Sequence, residues 1–275
     1  YGGIVPEIAC RNHSMHLLFL LEQALENANH QSNVPSALQW KNIDCIAVTN
    51  RPGLVGSLIV GLMTAKSLSQ SQEIPFIGVN HLEGHIVAPF LSDESYKPRW
   101  KMDQPFLSLA VSGGHSTLYL VHGFSQYEVF GATLDDAAGE AFDKFAKMIG
   151  LGFPGGAQLD RLAKTGNNKA YEFPRSMVKE DNYLMSFSGL KASGQRMVEQ
   201  LKKELSPEEF HKRQADLCAS YQEAAVDMLM VKLDRAFVKT GIRRVSITGG
   251  VSANSRLRER AEQWAQQKGI DLQIP

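Results

Sequence analysis

Apolar residues recur among polar ones near the start of the chain, with Leu17, Leu18, Leu20, Leu21 and Leu25 clustered, and the spacing predicts a helix over 5–29. A short, partly β-branched run at 45–49 ends on Asn50-Arg51-Pro52-Gly53 and reads as a strand entering a turn. A helix over 55–68, a strand over 76–79 and a helical segment over 81–90 follow, an alternation of strand and helix typical of α/β proteins. The polar stretch 92–105, with two prolines, breaks this pattern and is the expected boundary between two lobes, 1–97 and 98–275.

Beyond it, strands at 106–111, 117–121 and 127–130 are separated by glycine-containing turns, which predicts an antiparallel meander. Ser206-Pro207-Glu208-Glu209 carries the cap serine, first-turn proline and following glutamate that start a helix. Leu217, Tyr221, Ala224, Met228 and Val231 give that helix one inward face. Residues 244–248 read as a strand leading into Gly249-Gly250-Val251-Ser252-Ala253-Asn254 and a helix over 256–267, and 270–274 reads as a strand.

At 275 residues, 43% hydrophobic and 21% charged, the chain has the make-up of a globular protein, and its length favours two lobes over one core. Lysine plus arginine and aspartate plus glutamate each total 29, which excludes a global basic field for nucleic acid, so any RNA contact is local or shared with a partner. The basic clusters at 202–203, 243–244 and 256–260 read as solvated helix faces. Cys10, Cys45 and Cys218 are too few and too scattered for a disulfide framework or a paired-cysteine zinc site, which points to a reducing compartment. No run approaches the roughly 20 apolar residues that span a bilayer, so no membrane is expected. Tyr1 in place of methionine, and Pro275 directly after an apolar run, read as cut ends. Bacterial cytoplasm is the expected location, with the mitochondrial matrix as the alternative.

His81-Leu82-Glu83-Gly84-His85 sets two imidazoles four positions apart, on one face of a helix, a spacing that suits a metal ion and equally suits a pair of packing histidines. The order departs from the protease pattern His-Glu-x-x-His. Ser112-Gly113-Gly114-His115 falls between two strands, either as a plain hairpin turn or as bare backbone open to an anion. Four acids at 135–144 precede an apolar segment; the dipole of a helix start explains Asp135 and Asp136. Asp143 lies further along, as an acceptor for ribose hydroxyls or as part of a solvated face with Lys144 and Lys147. Phe153-Pro154-Gly155-Gly156 followed by Asp160 is a rigid turn feeding a helix. The glycine turn at 249–254, between strand and helix, is the strongest nucleotide-cradle signal, with Asn254 a ligand or a turn residue. His13 and His16 read as surface or structural. No Gly-x-Ser-x-Gly elbow or catalytic cysteine setting is present.

Taken in order, His-Leu-Glu-Gly-His at 81–85, Ser-Gly-Gly-His at 112–115, the acidic run at 135–144, Pro-Gly-Gly at 154–156, Phe-Ser-Gly-Leu-Lys at 187–191 and Gly-Gly-Val-Ser-Ala-Asn at 249–254 resemble one family. It is the universal tRNA N6-adenosine threonylcarbamoyltransferase family, once named O-sialoglycoprotein endopeptidases, and the match begins at Gly2-Gly3-Ile4-Val5-Pro6-Glu7. The resemblance implies the actin, sugar-kinase and Hsp70 type of fold, two related α/β lobes around a nucleotide cleft, here truncated at both ends. It implies transfer of a threonylcarbamoyl group from threonylcarbamoyl-AMP to N6 of the adenosine 3′ of the anticodon, in tRNAs reading codons that begin with A. It further implies His81 and His85 as ligands of one divalent metal ion, with Fe2+ placed ahead of Zn2+ although two histidines and a carboxylate suit either. Val111, Ser112, Gly113, Gly114, Asp143, Gly156, Asp160 and Asn254 would hold threonylcarbamoyl-AMP. The implied partners are tRNA together with a homologous paralogue and an ATPase in bacteria, or a homodimer in mitochondria.

The family's third metal ligand, an aspartate in a Thr-Asp-Asn-Gly motif, is expected beyond Pro275, and its first strand and phosphate loop before Tyr1. Asn80 stands where a further histidine is common, and Ala157 where a proline often follows Pro-Gly-Gly. Two rival readings are a metallopeptidase, which the histidine pair superficially suits, and a non-enzymatic nucleotide-binding scaffold that uses the glycine loops and no metal.

Overall fold

The expected elements form, in a computed structural model that describes residues 4–31, 39–93 and 96–275. Gly2 and Gly3 of the family-like stretch, and Glu94 and Ser95 of the expected boundary, lie outside the described residues. Residue contacts divide the chain into one compact unit ending at Gly84 and another beginning at His85. No helix among the described residues is long and apolar enough to cross a membrane.

In the first unit, α1 (Pro6–Gln31) packs against α2 (Val55–Gln72), where Gly56 lies against Cys10. Leu17, Leu21 and Leu25 recur every fourth residue and are partly buried. Leu18 and Leu20, grouped with them in the sequence, are 62% and 55% exposed, because a shift of one residue turns a side chain about 100° around a helix. β1 (Ile46–Arg51) pairs in parallel with β2 (Phe76–Asn80), and α2 is the crossover between them. Asn80 ends β2, and its Oδ1 accepts a hydrogen bond from Leu82 N at 3.0 Å, so it caps the next helix, α3 (His81–Val87), and fixes His81 as that helix's first residue. A short 3-10 turn, Ala88–Phe90, finishes the segment expected to be helical.

The second unit is built on one five-stranded sheet. β3 (Phe106–Val111), β4 (Ser116–Gly123) and β5 (Gln126–Ala132) form the expected antiparallel meander. β6 (Arg244–Thr248) and β7 (Asp271–Gln273) add in parallel on the other side of β3, giving the order β5-β4-β3-β6-β7. Alternate residues of β3 serve two cores. Leu107, Leu109 and Val111 join the larger one, against α4 (Ala138–Met148), α5 (Gly156–Ala163), α6 (Ser188–Glu204), α7 (Pro207–Thr240) and α8 (Ser255–Lys268). Phe106 and Ala110 join a smaller cluster with Ile86, Trp100 and Tyr119.

At 34 residues and 1.5 Å per residue, α7 is about 50 Å long. It starts at the predicted cap, where Ser206 Oγ accepts from Glu209 N and the Glu209 carboxylate accepts from Ser206 N. Leu217, Tyr221, Ala224 and Met228 are buried as expected, but Val231 is only partly so and Lys232 takes the buried place beside it. The middle of the helix is enclosed on every side, Gln222 and Glu223 included. Tyr221 stacks on Phe145 with ring centroids 3.8 Å apart, and Gly194 is required beside them because a methyl group there would meet both rings at 2.8–2.9 Å. Burial alone pushes the Cys218 thiol up to about 12, so it is a packing residue.

Two readings are corrected. Asp135 and Asp136 do not serve the start of α4, which begins at Ala138. Asp135 accepts from Phe187 N at 2.8 Å, Ser188 N at 3.2 Å and Ser186 Oγ at 2.5 Å, capping α6 from a distant loop, while Asp136 bonds Lys191, Lys144 and Ser188. The arginines at 256–260 are not a free solvated face either. Arg256 Nε donates to Glu223 Oε2 at 2.6 Å, Arg260 donates to Glu223 and Asp227, and Arg258 donates to Ser252 O. Arg243 bonds the carbonyls of Lys268 and Gly269, and Arg244 bonds Asp103.

Burial acts to raise the Glu223 carboxyl, and its bonds and charge contacts to Arg256, Asn168 and Arg260 together outweigh that, holding its pKa below the ordinary glutamate value. A lowered carboxyl pKa adds stability that is present above the unfolded pKa and lost as pH falls through the folded one. Glu223→Gln is therefore expected to lower unfolding free energy by on the order of 2 kcal/mol at pH 7, since both arginines stay partly exposed. The gap should narrow below about pH 4 in denaturant titrations run across pH. Asp135→Ala is expected to cost about 1 kcal/mol through the lost cap, read as a lower denaturation midpoint with an unchanged slope.

Candidate ligand site at the ends of β3 and β6

Because β3 and β6 are neighbouring parallel strands, with Ala110 in register with Thr248, their C-terminal ends deliver two glycine turns to the same place. This is the position at which α/β sheets bind ligands. Gly249 has φ +90, and a β-carbon on it would lie 2.4 Å from Val111 O. Gly139, at the start of α4, donates to Ser112 O at 3.3 Å, and a β-carbon there would lie 2.5 Å from the same oxygen. Ser116 Oγ accepts from Ala138 N at 2.9 Å, which ties α4 to β4. Three backbone segments are thereby held in contact.

Between them lies a cavity of about 340 Å³ lined by Gly113, Gly139, Asp143, Gly156, Asp160 and Asn254, with Phe142, Pro154, Ala157, Gly250, Val251 and Ala253. Five of the residues singled out in the sequence thus share one cavity. Of the others, Ser112 and Gly114 sit in the adjoining turn, and Val111 is fully buried, framing the site through its carbonyl rather than lining it. Within the turn, Ser112 N donates to His115 O at 2.7 Å and His115 N to Ser112 Oγ at 3.1 Å. The amides of Gly113 and Gly114 have no partner among the described residues, and a β-carbon on either would meet open space. The turn therefore closes on itself while presenting two donors, an arrangement suited to an anion.

The side chains are held just as specifically. Asp143 Oδ1 accepts from Gly155 N at 2.9 Å and Gly156 N at 2.8 Å, so Asp143 orders the Pro-Gly-Gly turn instead of pairing with Lys144, which bonds Glu140 and Asp136. Asp160 Oδ1 accepts from Ser255 N at 3.1 Å, Ser255 Oγ at 2.8 Å and Gln222 Nε2 at 2.8 Å. Asn254 caps α8, its Oδ1 accepting from Leu257 N at 3.0 Å and Gln222 Nε2 at 2.9 Å. Each carboxylate thus has Oδ1 engaged by the fold and Oδ2 without a partner among the described residues, and Asn254 keeps its Nδ2 donor. Asp143, Asp160 and Asn254 line one small space with the backbone of Gly113, each side chain keeping a polar atom beyond its structural bonds, a set that suits a ligand with hydroxyls and an anionic group. Gln222 and Gly139 were not singled out in the sequence. Gly139 carries a visible signal, a glycine among the acids of the 135–144 run, but its partner is 27 residues earlier.

His81 and His85 occupy the first and fifth positions of α3, so the expected shared helical face forms. Among the described residues no group of three or more His, Cys, Asp or Glu side chains is placed to hold a metal ion. The pair suits two coordination positions, and a complete donor set is not present among the described residues. A second cavity, of about 360 Å³, is lined by Gln222, Lys164, Asn168, Glu223 and Arg256 among others.

A family model described as tRNA N6-adenosine threonylcarbamoyltransferase matches residues 1–275. The chain belongs to that family. Proteins of the same name from Bdellovibrio bacteriovorus, Geotalea uraniireducens and an Anaeromyxobacter species are 59%, 44% and 46% identical across the whole chain, which covers 76%, 75% and 77% of their lengths. Membership of the threonylcarbamoyltransferase family makes the chain a tRNA-modifying transferase. Among solved structures, full-length HypF in the phosphate- and nucleotide-bound form superposes with a TM-score of 0.57 at 16% identity, over 84% of this chain and 43% of that one. HypF of T. kodakarensis gives 0.56 at 13%, over 86% and 38%. The chain spans less than half of either, and at such identities the likeness bears on the fold alone, which is α/β of the actin, sugar-kinase and Hsp70 type.

The glycines divide into two kinds. Gly249→Ala is expected to lower stability by at least about 2 kcal/mol, from its positive φ and the contact with Val111 O. Gly113→Ala and Gly114→Ala should leave it within about 0.5 kcal/mol. Thermal and chemical denaturation of the three variants side by side reads the contrast.

Proposed function

We propose that the cavity at the ends of β3 and β6 holds threonylcarbamoyl-AMP, and that the enzyme transfers its threonylcarbamoyl group to N6 of the adenosine 3′ of the anticodon in tRNAs reading codons that begin with A. The observation that supports this most strongly is the convergence of Gly113, Asp143, Gly156, Asp160 and Asn254 on one cavity, with the three side chains keeping polar atoms beyond their structural bonds. In this reading Asp143 and Asp160 accept from the ribose hydroxyls, the Gly113 and Gly114 amides meet the phosphate, and Asn254 Nδ2 donates to the ligand. The adenosine amine attacks the carbamoyl carbon and gives up a proton, and the bond from that carbon to the phosphate oxygen breaks, so AMP leaves with the bonding pair. Amides fixed at the leaving phosphate need no reorganisation as charge builds there.

His81 and His85 supply two ligands of a divalent cation, iron ahead of zinc, with a carboxylate completing the set. Such an ion would polarise the carbamoyl oxygen and neutralise the leaving phosphate. As the quoted relatives come from bacteria, we place the reaction in the cytoplasm, with a homologous paralogue and an ATPase as partners. A balance of 29 basic and 29 acidic residues accords with tRNA binding shared among several proteins.

The test is transfer of labelled threonine from threonylcarbamoyl-AMP to unmodified tRNA by the full-length protein with its partners. Label should appear on tRNA, disappear with chelator, and fall about 100-fold in Asp143→Ala and Asp160→Ala. Gly113→Ala should stay folded yet bind AMP about tenfold more weakly, and His81→Ala with His85→Ala should abolish bound metal by elemental analysis. Absence of label with every partner supplied would rule the reading out.

A further inference from the structure

Gln222 is 2% exposed, in the enclosed middle of α7, and its side chain is not that of a packing residue. Its Nε2 donates to Asp160 Oδ1 at 2.8 Å and to Asn254 Oδ1 at 2.9 Å, so both amide hydrogens are engaged, one on each of two side chains that line the proposed nucleotide cavity. The amide cannot be turned over, because Oε1 would then face two oxygens that are already acceptors. In the orientation that remains, Oε1 is buried and has no hydrogen-bond partner among the described residues, and Gln222 also lines the second cavity. What the amide contributes at this position is therefore the placing of its two partners.

The consequence for Asn254 is a matter of sense as well as position. With Oδ1 held by Gln222 Nε2 and Leu257 N together, the amide group is fixed in one sense, which leaves Nδ2 as the end available to a ligand in the cavity that Asn254 lines. Without Gln222, one donor is lost and the group gains freedom to move. For Asp160, Gln222 and Ser255 all act on Oδ1, which settles Oδ2 as the oxygen left for a ligand.

We infer that Gln222 is a positioning residue of the nucleotide site, locking Asn254 as a donor and Asp160 as an acceptor without touching the ligand itself. This rests on the nucleotide reading of the cavity, and the experiment separates the two. AMP binding to the full-length protein is measured by titration calorimetry for wild type, Asn254→Ala, Gln222→Met, the double variant and Gln222→Glu. Wild type should bind AMP, and Gln222→Met should bind about tenfold more weakly while keeping its thermal midpoint. Adding Gln222→Met to Asn254→Ala should cost less than it does alone, since part of its effect runs through Asn254.

Gln222→Glu gives a readout that a packing role does not move. A carboxylate facing Asp160 Oδ1 is disfavoured, whereas its protonated form donates one hydrogen bond, so AMP affinity in this variant should recover as pH falls from 8 to 5.5 while wild type changes little. Should the variants fold poorly, exchange on the wild type decides. Both Gln222 side-chain amide protons should exchange slowly, and the Asn254 amide signal should shift when AMP is added. Wild-type protein that binds no AMP overturns the nucleotide reading and this inference with it. AMP bound normally by wild type and equally by Gln222→Met, or freely exchanging Gln222 amide protons, overturns the inference alone.

Discussion

Two contacts that only glycine permits hold the working end of the second unit together: Gly249 against the carbonyl of Val111, and Gly139 against the carbonyl of Ser112. They fix the turn after β6 and the start of α4 onto the end of β3. Everything placed on those segments, the amides of Gly113 and Gly114, the Asp143 carboxylate and the Asn254 amide, takes its position from them. Gly113, which lines the cavity, and Gly114 in the adjoining turn are of a different kind, since a side chain on either would meet open space. One set makes the backbone fit; the other leaves room beside it.

Behind the cavity stands α7, whose enclosed middle carries consecutive polar residues with different tasks. Gln222 reaches Asp160 and Asn254, while Glu223 reaches Arg256, Arg260 and Asn168. Both act on the start of α8, one through its cap residue and one through its first turn. A buried carboxylate between two arginines adds modest stability, but it fixes the register of α8 against α7 and so the position of Asn254. Stability and ligand geometry thus meet in the same two turns of helix.

The elements were legible in the sequence wherever their cause is local. The meander of β3 to β5, the capping box of α7 and the strand, glycine turn and helix at 244–267 were all readable from neighbouring letters. The motif glycines, acids and asparagine of the site were readable as well, and the structure brings five of them, Gly113, Asp143, Gly156, Asp160 and Asn254, to one cavity. What the sequence hid depends on partners far away. Asp135 caps a helix 52 residues later, Arg256 serves a glutamate 33 residues earlier, and Gln222 joins residues 62 positions before it and 32 after. Asn80 is a milder case: it reads as a departure from a common histidine, yet its local role as the cap of α3 follows from residue type and place.

The most direct test of the central claim, that the ends of β3 and β6 cradle the adenylate, is a crystal structure of the full-length protein with AMP. The account predicts the phosphate at the Gly113 and Gly114 amides, the ribose between Asp143 and Asp160, and Asn254 Nδ2 within hydrogen-bond distance of the nucleotide. AMP ordered instead in the neighbouring cavity lined by Lys164, Asn168 and Arg256, with the first cavity empty, would contradict it.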